Sequence, residues 1–553
     1  MSAFGRVVWV AVVLAAAPGC RSGRVEAPEP SPPPAATAQA STVTTGAHPS
    51  ADRHDWWNDR VFYEIFVRSF ADSAAGPLAN DGIGDLQGLI DRLDYLNDGD
   101  PATHSDLGVT GIWLMPINPS PSYHGYDVTD YYGIHPQYGT REDFRRFLDE
   151  CRRRGIRVIV DLVLNHSSSR HADFQAALRG DPQFRDRYIF VPPESVPDVR
   201  GPWGQQVWQE MGDQHYYGIF WSGMPDLNYR NPAVTAEARR IAEFWLREMR
   251  VDGFRLDAIR HLIEDGDVMS DTPETIEWLR GFRSYVKKVR PDALTVGEVW
   301  TRTEIVSDYV RAEALDLAFE FDLATAILDA AKSGRRTKLA YVLDNVVASY
   351  PPGRYATMIT NHDQDRIASA LDEDPARLRL AATLLLTAPG VPFLYYGEEI
   401  GQVGSKPDEM IRNPMPWTAG PNGGFTAAAR PWEPLQPGHE RRNVAAQAHD
   451  PDSLLNHYRR LIRLRQSEAA LTRGAFRGLE TGREDVIAWE RATDGRRLTI
   501  IANLSAVAIP DYRLPGAGAS PLAAELLEGA VVGASGEVTL APHGAYVFVQ
   551  DRR

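Results

Sequence analysis

Carboxylates set at short spacing from arginine and histidine are the first chemistry visible in this chain. GFRLDAIRH carries Arg255 and Asp257 two residues apart, GEVW carries Glu298, and TNHD carries His362 and Asp363. Upstream, VIVDLVLNH supplies Asp161, Asn165 and His166. Acids brought to one place raise one another's pKa, so such a cluster needs a chemical reason. Cleavage of a glycosidic bond is one. With retention it requires an ionised carboxylate as nucleophile and a protonated carboxyl as acid and then base, about 5 to 5.5 Å apart. Asp257 suits the nucleophile, because Arg255 faces the same way along a strand and a neighbouring guanidinium keeps a carboxylate ionised. Glu298 suits the acid: Gly297, Val299 and Trp300 give it an apolar setting, which raises a carboxyl pKa. Asp363 then holds sugar hydroxyls and offsets the charge of an oxocarbenium-like transition state. Each residue also has a structural alternative. Asp161 could end a strand, His166 and His362 could be core histidines, and Arg255 with Asp257 could be a structural ion pair. Those alternatives fail jointly, since so much buried charge at one place is costly without a function.

The elements that must position these groups recur along the chain. Short β-branched or aromatic runs occupy 61–67, 111–117, 157–165, 253–259, 294–300, 317–323, 356–363 and 391–399, each followed by a helical stretch. Alternation of this kind predicts parallel β/α units, and eight of them predict an α/β fold, a (β/α)8 TIM barrel over residues 54–472. The polar residues sit mostly at the C-terminal ends of the runs, where a barrel carries its site. The long connection 167–232, rich in Gly, Pro and Trp, predicts an inserted domain after strand three. Its Trp203, Trp208 and Trp221 are either sugar platforms or packing. From 473 to 553 short alternating runs predict a C-terminal antiparallel β-sandwich.

VIVDLVLNH, MPDLN, GFRLDAIRH, GEVW and TNHD, in that order, resemble the conserved regions of the α-amylase family of glycoside hydrolases, family 13, and the resemblance covers roughly 54–550. It implies Asp257 as nucleophile, Glu298 as acid/base and Asp363 as transition-state stabiliser, in agreement with the chemistry above. It further implies that Asp161, His166, Arg255, His261 and His362 line the subsite of the attacked sugar, with Tyr126 of YHGYD stacked beneath the ring. Arg366 joins these expected contacts. Arg260 stands where family members usually carry Lys, which keeps the charge but changes the contacts on the leaving-group side. MPDLN with YYGEEIG and RNPMPW resembles the subfamily between oligo-1,6-glucosidases and neopullulanases. The resemblance implies an endo-acting α-glucan hydrolase. Asp127, which helps bind the terminal sugar in exo-acting oligo-1,6-glucosidases, keeps α-glucosidase and 4-α-glucanotransferase activities open. A non-catalytic glycan-binding surface protein is the alternative of another class.

DGIGDLQG resembles the calcium or magnesium loop after strand one in this family, with Asp81, the Ile83 carbonyl and Asp85 as ligands and Asp72 and Asn80 completing the shell. A Gly-Asp turn without metal is the other reading, since AAGPLA is inserted after Asp72 and Ser73. Asn165 resembles a second calcium position between barrel and inserted domain. Residues 1–20 have the layout of an export signal, and Ala17-Pro18-Gly19-Cys20 resembles a lipobox, so Cys20 is the expected lipidation site. The expectation is therefore an exported, membrane-anchored lipoprotein, or else a secreted protein. Residues 21–53, rich in Pro, Ala, Ser and Thr, read as an extended tether. The 553 residues carry 59 basic and 74 acidic side chains, a net charge of −15, which argues against a nucleic-acid partner and suits a neutral polysaccharide. Two cysteines exclude a disulfide framework and a Cys-based metal site.

Overall fold

The computed structural model describes residues 54–515, 523–525, 527, 531–532 and 537–551. The export signal, the tether and Cys20 lie outside the described residues. No helix among the described residues is long and apolar enough to cross a membrane.

Each of the eight runs forms a strand: β1 (Phe62–Ile65), β2 (Gly111–Leu114), β3 (Arg157–Val163), β4 (Gly253–Asp257), β5 (Leu294–Gly297), β6 (Leu317–Ala318), β7 (Ala356–Thr357) and β8 (Val391–Tyr395). They hydrogen-bond in the order β7, β8, β1, β2, β3, β4, β5, β6, and every neighbouring pair is parallel. A parallel bridge from Phe319 to Ala356 joins the two ends, so the sheet closes into the expected barrel. Its interior is filled by apolar side chains from seven of the eight strands or their margins, among them Phe62, Trp113, Ile159, Val296, Phe319, Met358 and Phe393, while β4 contributes Arg255 over the Trp113 ring. Trp113 is the central plug, in ring contact with Phe319, Phe393 and His362.

The run 317–323 is a shorter strand than expected. Phe321, Leu323, Ala324 and Ile327 recur at helical spacing and start the helix Phe321–Ser333. Glu320 ends the strand side by taking hydroxyls from Thr303 and Tyr350.

Between β3 and β4 the chain leaves the barrel for a helix (Ala172–Leu178) and a small antiparallel sheet of Phe190–Val191, Trp208–Met211 and Gln214–Tyr217. Phe174, Tyr188 and Tyr216 form its core. A bridge between His166 and Asp226 returns it to the barrel rim. After the helices Leu454–Ser467 and Ala469–Arg473 the chain builds a five-stranded and a three-stranded antiparallel sheet. The strand Val486–Ala492 shows why the five-stranded sheet sits between two layers. Val486 and Ala488 join Ile501, Tyr512, Val538 and Phe548 between the sheets, whereas Ile487 and Trp489 join the barrel's core, as period-two alternation requires. Cys151 is fully buried and has no disulfide partner among the described residues.

Candidate active site

Register across three adjacent strands assembles the acids. Asp161 on β3 pairs with Arg255 on β4, and Leu256 pairs with Gly297 at the end of β5, directly before Glu298. Arg255, fully buried, is the hub. Its Nη1 reaches Asp161 Oδ1 at 2.9 Å and Asp257 Oδ1 at 2.5 Å, and its Nη2 reaches Glu298 Oε2 at 2.6 Å. Beyond Asp257 the backbone turns sharply: Ala258 has a φ of 47°, a left-handed conformation rare for a residue with a Cβ. Its amide donates to Glu298 Oε2 at 3.0 Å. Gly297 is required by close approach, since a Cβ there would lie 2.5 and 2.6 Å from the side chains of Leu315 and Ile259.

Asp363 enters from the loop after β7. Its Oδ2 meets His362 Nε2 at 3.2 Å and its Oδ1 meets Arg412 Nη2 at 2.8 Å. His362 is braced from behind by Glu64 of β1, whose Oε1 lies 2.5 Å from Nδ1. The Tyr126 hydroxyl donates to Asp161 Oδ2 at 3.1 Å and lies 2.7 Å from His362 Nε2, which links the two sides of the cluster.

Burial raises the pKa of Asp257 and of Glu298 despite the attraction of Arg255, and it pushes Asp161 up to about 7. Arg255 thus opposes burial at all three acids without cancelling it. Asp363 differs. Burial opposes its charge, but His362 and Arg412 hold it far below the ordinary carboxylate range. The same pairing, with Glu64, lifts His362 to about 10 against the effect of burial, so it is an imidazolium at neutral pH. Burial instead lowers His166, to about 4, and His261, so both are neutral donors or acceptors.

A cleft of about 530 Å³ opens over this cluster. Tyr126, His166, Asp257, Arg260, His261, Glu298 and Asp363 line it, together with Trp203, Trp221 and Trp300, whose rings are 63%, 48% and 45% exposed. Trp203 and Trp221 thus extend from the inserted domain over the site, while Trp208 packs against Tyr217 within that domain. Arg260 donates to the Trp300 carbonyl at 2.5 Å and pairs with Asp271, which fixes one wall. Asp161, Arg255 and His362 lie beneath the cleft surface rather than on it; they act on substrate through the groups they hold. Two expected contacts lie elsewhere. Arg366 is buried on the rings of Tyr395 and Tyr396 and donates to the Tyr396 carbonyl at 2.6 Å, so it fastens the end of β8 and does not line the cleft. Asp127 is buried beneath Ser120, which donates to its Oδ1 at 2.6 Å, and Ser122, which bonds the same oxygen. Sequence reasoning missed Glu64, Asp408 and Arg412. A lone acid inside the apolar run VFYEIFV was the available signal for Glu64.

The loop after β1 does not fit the expected cation. Asp72 accepts from the Asn80 and Gly82 amides and the Thr426 hydroxyl, and Asp85 caps the helix Leu86–Asp91 while holding Ser73. Asp81 accepts the Ile83 amide and Asn80 Oδ1 the Ala427 amide. Carboxylate oxygens that a metal would need are turned on the loop's own donors. Among the described residues no group of three or more His, Cys, Asp or Glu is placed to hold a metal. At the joint of barrel and insert the donor set is different: Asn165 Oδ1, Asp226 Oδ2 and Glu264 Oε1 are buried without a well-formed hydrogen bond, Asn165 lying beside Asp226 and the Tyr217 hydroxyl beside Glu264. Burial and mutual repulsion raise Asp226, and burial lifts Glu264 to about 7. Oxygens of this kind fit a hard cation.

Residues 64–474 match the catalytic domain of α-amylases. The chain is 37% identical over 459 residues to α-amylase 3 of Dictyoglomus thermophilum, covering 82% of this chain and 86% of that one. It is 33% identical to the trehalose synthase of a Pimelobacter species, covering 89% and 96%. The crystal structure of an α-amylase from H. orenii superposes with a TM-score of 0.80 at 40% identity, over 89% of this chain and 99% of that one. A closed eight-stranded barrel, carboxyls gathered on one arginine at its C-terminal rim and these matches place the chain in the α-amylase family of glycoside hydrolases.

Proposed function

We propose that the enzyme is an endo-acting, retaining hydrolase of α-1,4-linked glucans. The observation that carries this reading is the grip of Arg255, one terminal nitrogen on Asp257 and the other on Glu298, which keeps the two carboxyls adjacent at one cleft. Adjacent carboxyls suit direct attack rather than the wider gap that an intervening water needs. In the first step Asp257 attacks the anomeric carbon, the bond from that carbon to the leaving oxygen breaks, and the Glu298 proton passes to that oxygen. In the second, ionised Glu298 takes a proton from water, whose oxygen attacks the same carbon and frees Asp257. Asp363, ionised by His362 and Arg412, faces the positive charge that develops on the ring.

Endo action is supported by the rim of Trp203, Trp221 and Trp300, which offers platforms for several sugars, and by Asp127 turned onto serines instead of the cleft. A second reading has its own support. Arg412 bridges Asp363 and Asp408 at the cleft wall, and a glucan stopped by that bridge would be held by its chain end, which favours exo action. Ca²⁺ or Mg²⁺ at the Asn165, Asp226 and Glu264 oxygens would neutralise buried acids and tie the insert to the barrel, with no part in bond cleavage.

Digestion of soluble starch, pullulan and isomaltose tests the proposal. Mixed maltooligosaccharides from starch and little attack on isomaltose are expected. Glucose alone from the outset, or products longer than the substrate, would overturn it in favour of an exo-glucosidase or a glucanotransferase.

A further inference from the structure

At the end of the barrel opposite the cleft, two buried arginines meet with no carboxylate between them among the described residues. Arg465, on the helix Leu454–Ser467, and Arg491, on the strand Val486–Ala492, are each 1% exposed. Arg465 donates through Nη1 to the carbonyls of Leu386 at 2.8 Å and Ala388 at 3.0 Å, and through Nη2 to Gly390. Arg491 donates to Thr387 at 3.4 Å and Gly474 at 3.1 Å. Every one of these partners is a neutral carbonyl, and Nε of each arginine has no partner. Asp59, whose charge acts weakly on Arg465, is paired with His54 at 2.6 Å. Burial, with no acid to offset it at Arg491, draws Arg465 down to about 9 and Arg491 to about 10. An uncompensated cation is the most expensive group a protein can bury.

A cavity of about 240 Å³ opens beside Arg491, lined among others by His54, Asn58, Tyr355, Gly390 and Arg473. The Tyr355 hydroxyl is buried and unpaired. Gly390, at a φ of 104°, keeps space under that ring: a Cβ would come within 2.6 Å of it. Arg491 and Tyr355 both line the cavity, each with an unpaired donor buried just behind its wall, and Arg473 adds a second guanidinium.

We propose that this cavity binds a small inorganic anion, held by Arg491 Nε, the Tyr355 hydroxyl and Arg473. The anion accepts the two unpaired hydrogens and supplies the missing negative charge. It thereby ties the C-terminal sheet, through Arg491, to the loop Thr387–Gly390 that leads into β8. The site is remote from the cleft, so it governs stability and leaves turnover unchanged.

The test is thermal unfolding of the full chain at constant ionic strength, with chloride replacing gluconate, a bulkier and more strongly hydrated anion, and phosphate as a separate arm. Tm is expected to rise saturably by about 2 °C with chloride. A larger rise with phosphate would assign the site to tetrahedral oxyanions. Tyr355→Phe should raise the half-saturating concentration roughly fivefold, Arg491→Gln should remove the dependence, and bromide-soaked crystals should show anomalous scattering in the cavity. Starch hydrolysis by Tyr355→Phe should match the parent. A non-saturating response identical in the parent and Tyr355→Phe, or no bromide in the cavity, overturns the proposal. Should Arg491→Gln fail to fold, Tyr355→Phe and the bromide signal decide it.

Discussion

At the scale of single residues the site is organised by unequal competition for cations. Burial raises Asp257 and Glu298, which share Arg255 with Asp161, while Asp363 is met by two cations, His362 and Arg412, and stays ionised. Removing either shared acid should therefore abolish chemistry without emptying the cleft: Glu298→Gln and Asp257→Asn are each expected to lower kcat on starch by about a thousandfold or more, with glucan binding retained in a calorimetric titration. Turnover within tenfold of the parent would contradict the assignment. The pH profile follows from the same shifts. Hydrolysis needs Asp257 ionised and Glu298 protonated, and burial raises both pKa values, so kcat/KM should fall on the acid side at a pH above the ordinary aspartate range. It should also fall on the alkaline side as Glu298 loses its proton. A profile flat across that range would count against Asp257 and Glu298 as the titrating pair. His362 makes a separate claim on stability. Its pKa is raised in the folded state to about 10, so the stabilisation is complete below the unfolded value of about 6.5 and is lost as pH rises towards 10. Urea midpoints of the parent should fall across that window, and those of His362→Gln should fall less.

At the scale of elements, the strands deliver these residues because their register is fixed by packing that the motifs do not display. Trp113 fills the barrel centre and carries Arg255 over its ring at 5.1 Å, so the hub of the site rests on the core. Gly297 lets β5 end against Leu315 and Ile259 with Glu298 in reach of the Ala258 amide. Gly297→Ala should displace Glu298, lowering kcat at least tenfold while costing about 1–3 kcal/mol of stability by overpacking. Full activity in that variant would show that the close approach is unimportant. The elements were legible in sequence because each barrel strand is a short apolar run and most of the longer helices are amphipathic. The run at 317–323 misled because alternation and helical spacing overlap in LAFEFDL, and only tertiary contacts of Glu320 decide where the strand ends. Asp257, Glu298 and Asp363 were legible because polar residues at strand ends have few structural uses. Arg412 was not, as it lies 49 residues beyond Asp363 in a stretch without periodicity. Arg366 and Asp127 were assigned to substrate by resemblance, yet local donors and acceptors claim them first. In the expected cation loop, likewise, Asp72 bonds to the Gly82 amide of the loop and Asp85 to the Gly88 amide of the helix that follows.

At the scale of the whole molecule, the barrel places chemistry at one end and attachment at the other. The inserted domain brings Trp203 and Trp221 over the C-terminal rim, and the C-terminal sheets pack Trp489 and Arg491 against the opposite end. A net charge of −15 steers no neutral glucan, so affinity must come from ring stacking and hydroxyl contacts in the cleft. The central claim, internal cleavage with retention, is tested most directly by proton NMR of maltoheptaose during the first few per cent of its hydrolysis. Products of several lengths, all released as α-anomers before mutarotation, are expected. β-Anomers, or glucose as the sole early product, would contradict it.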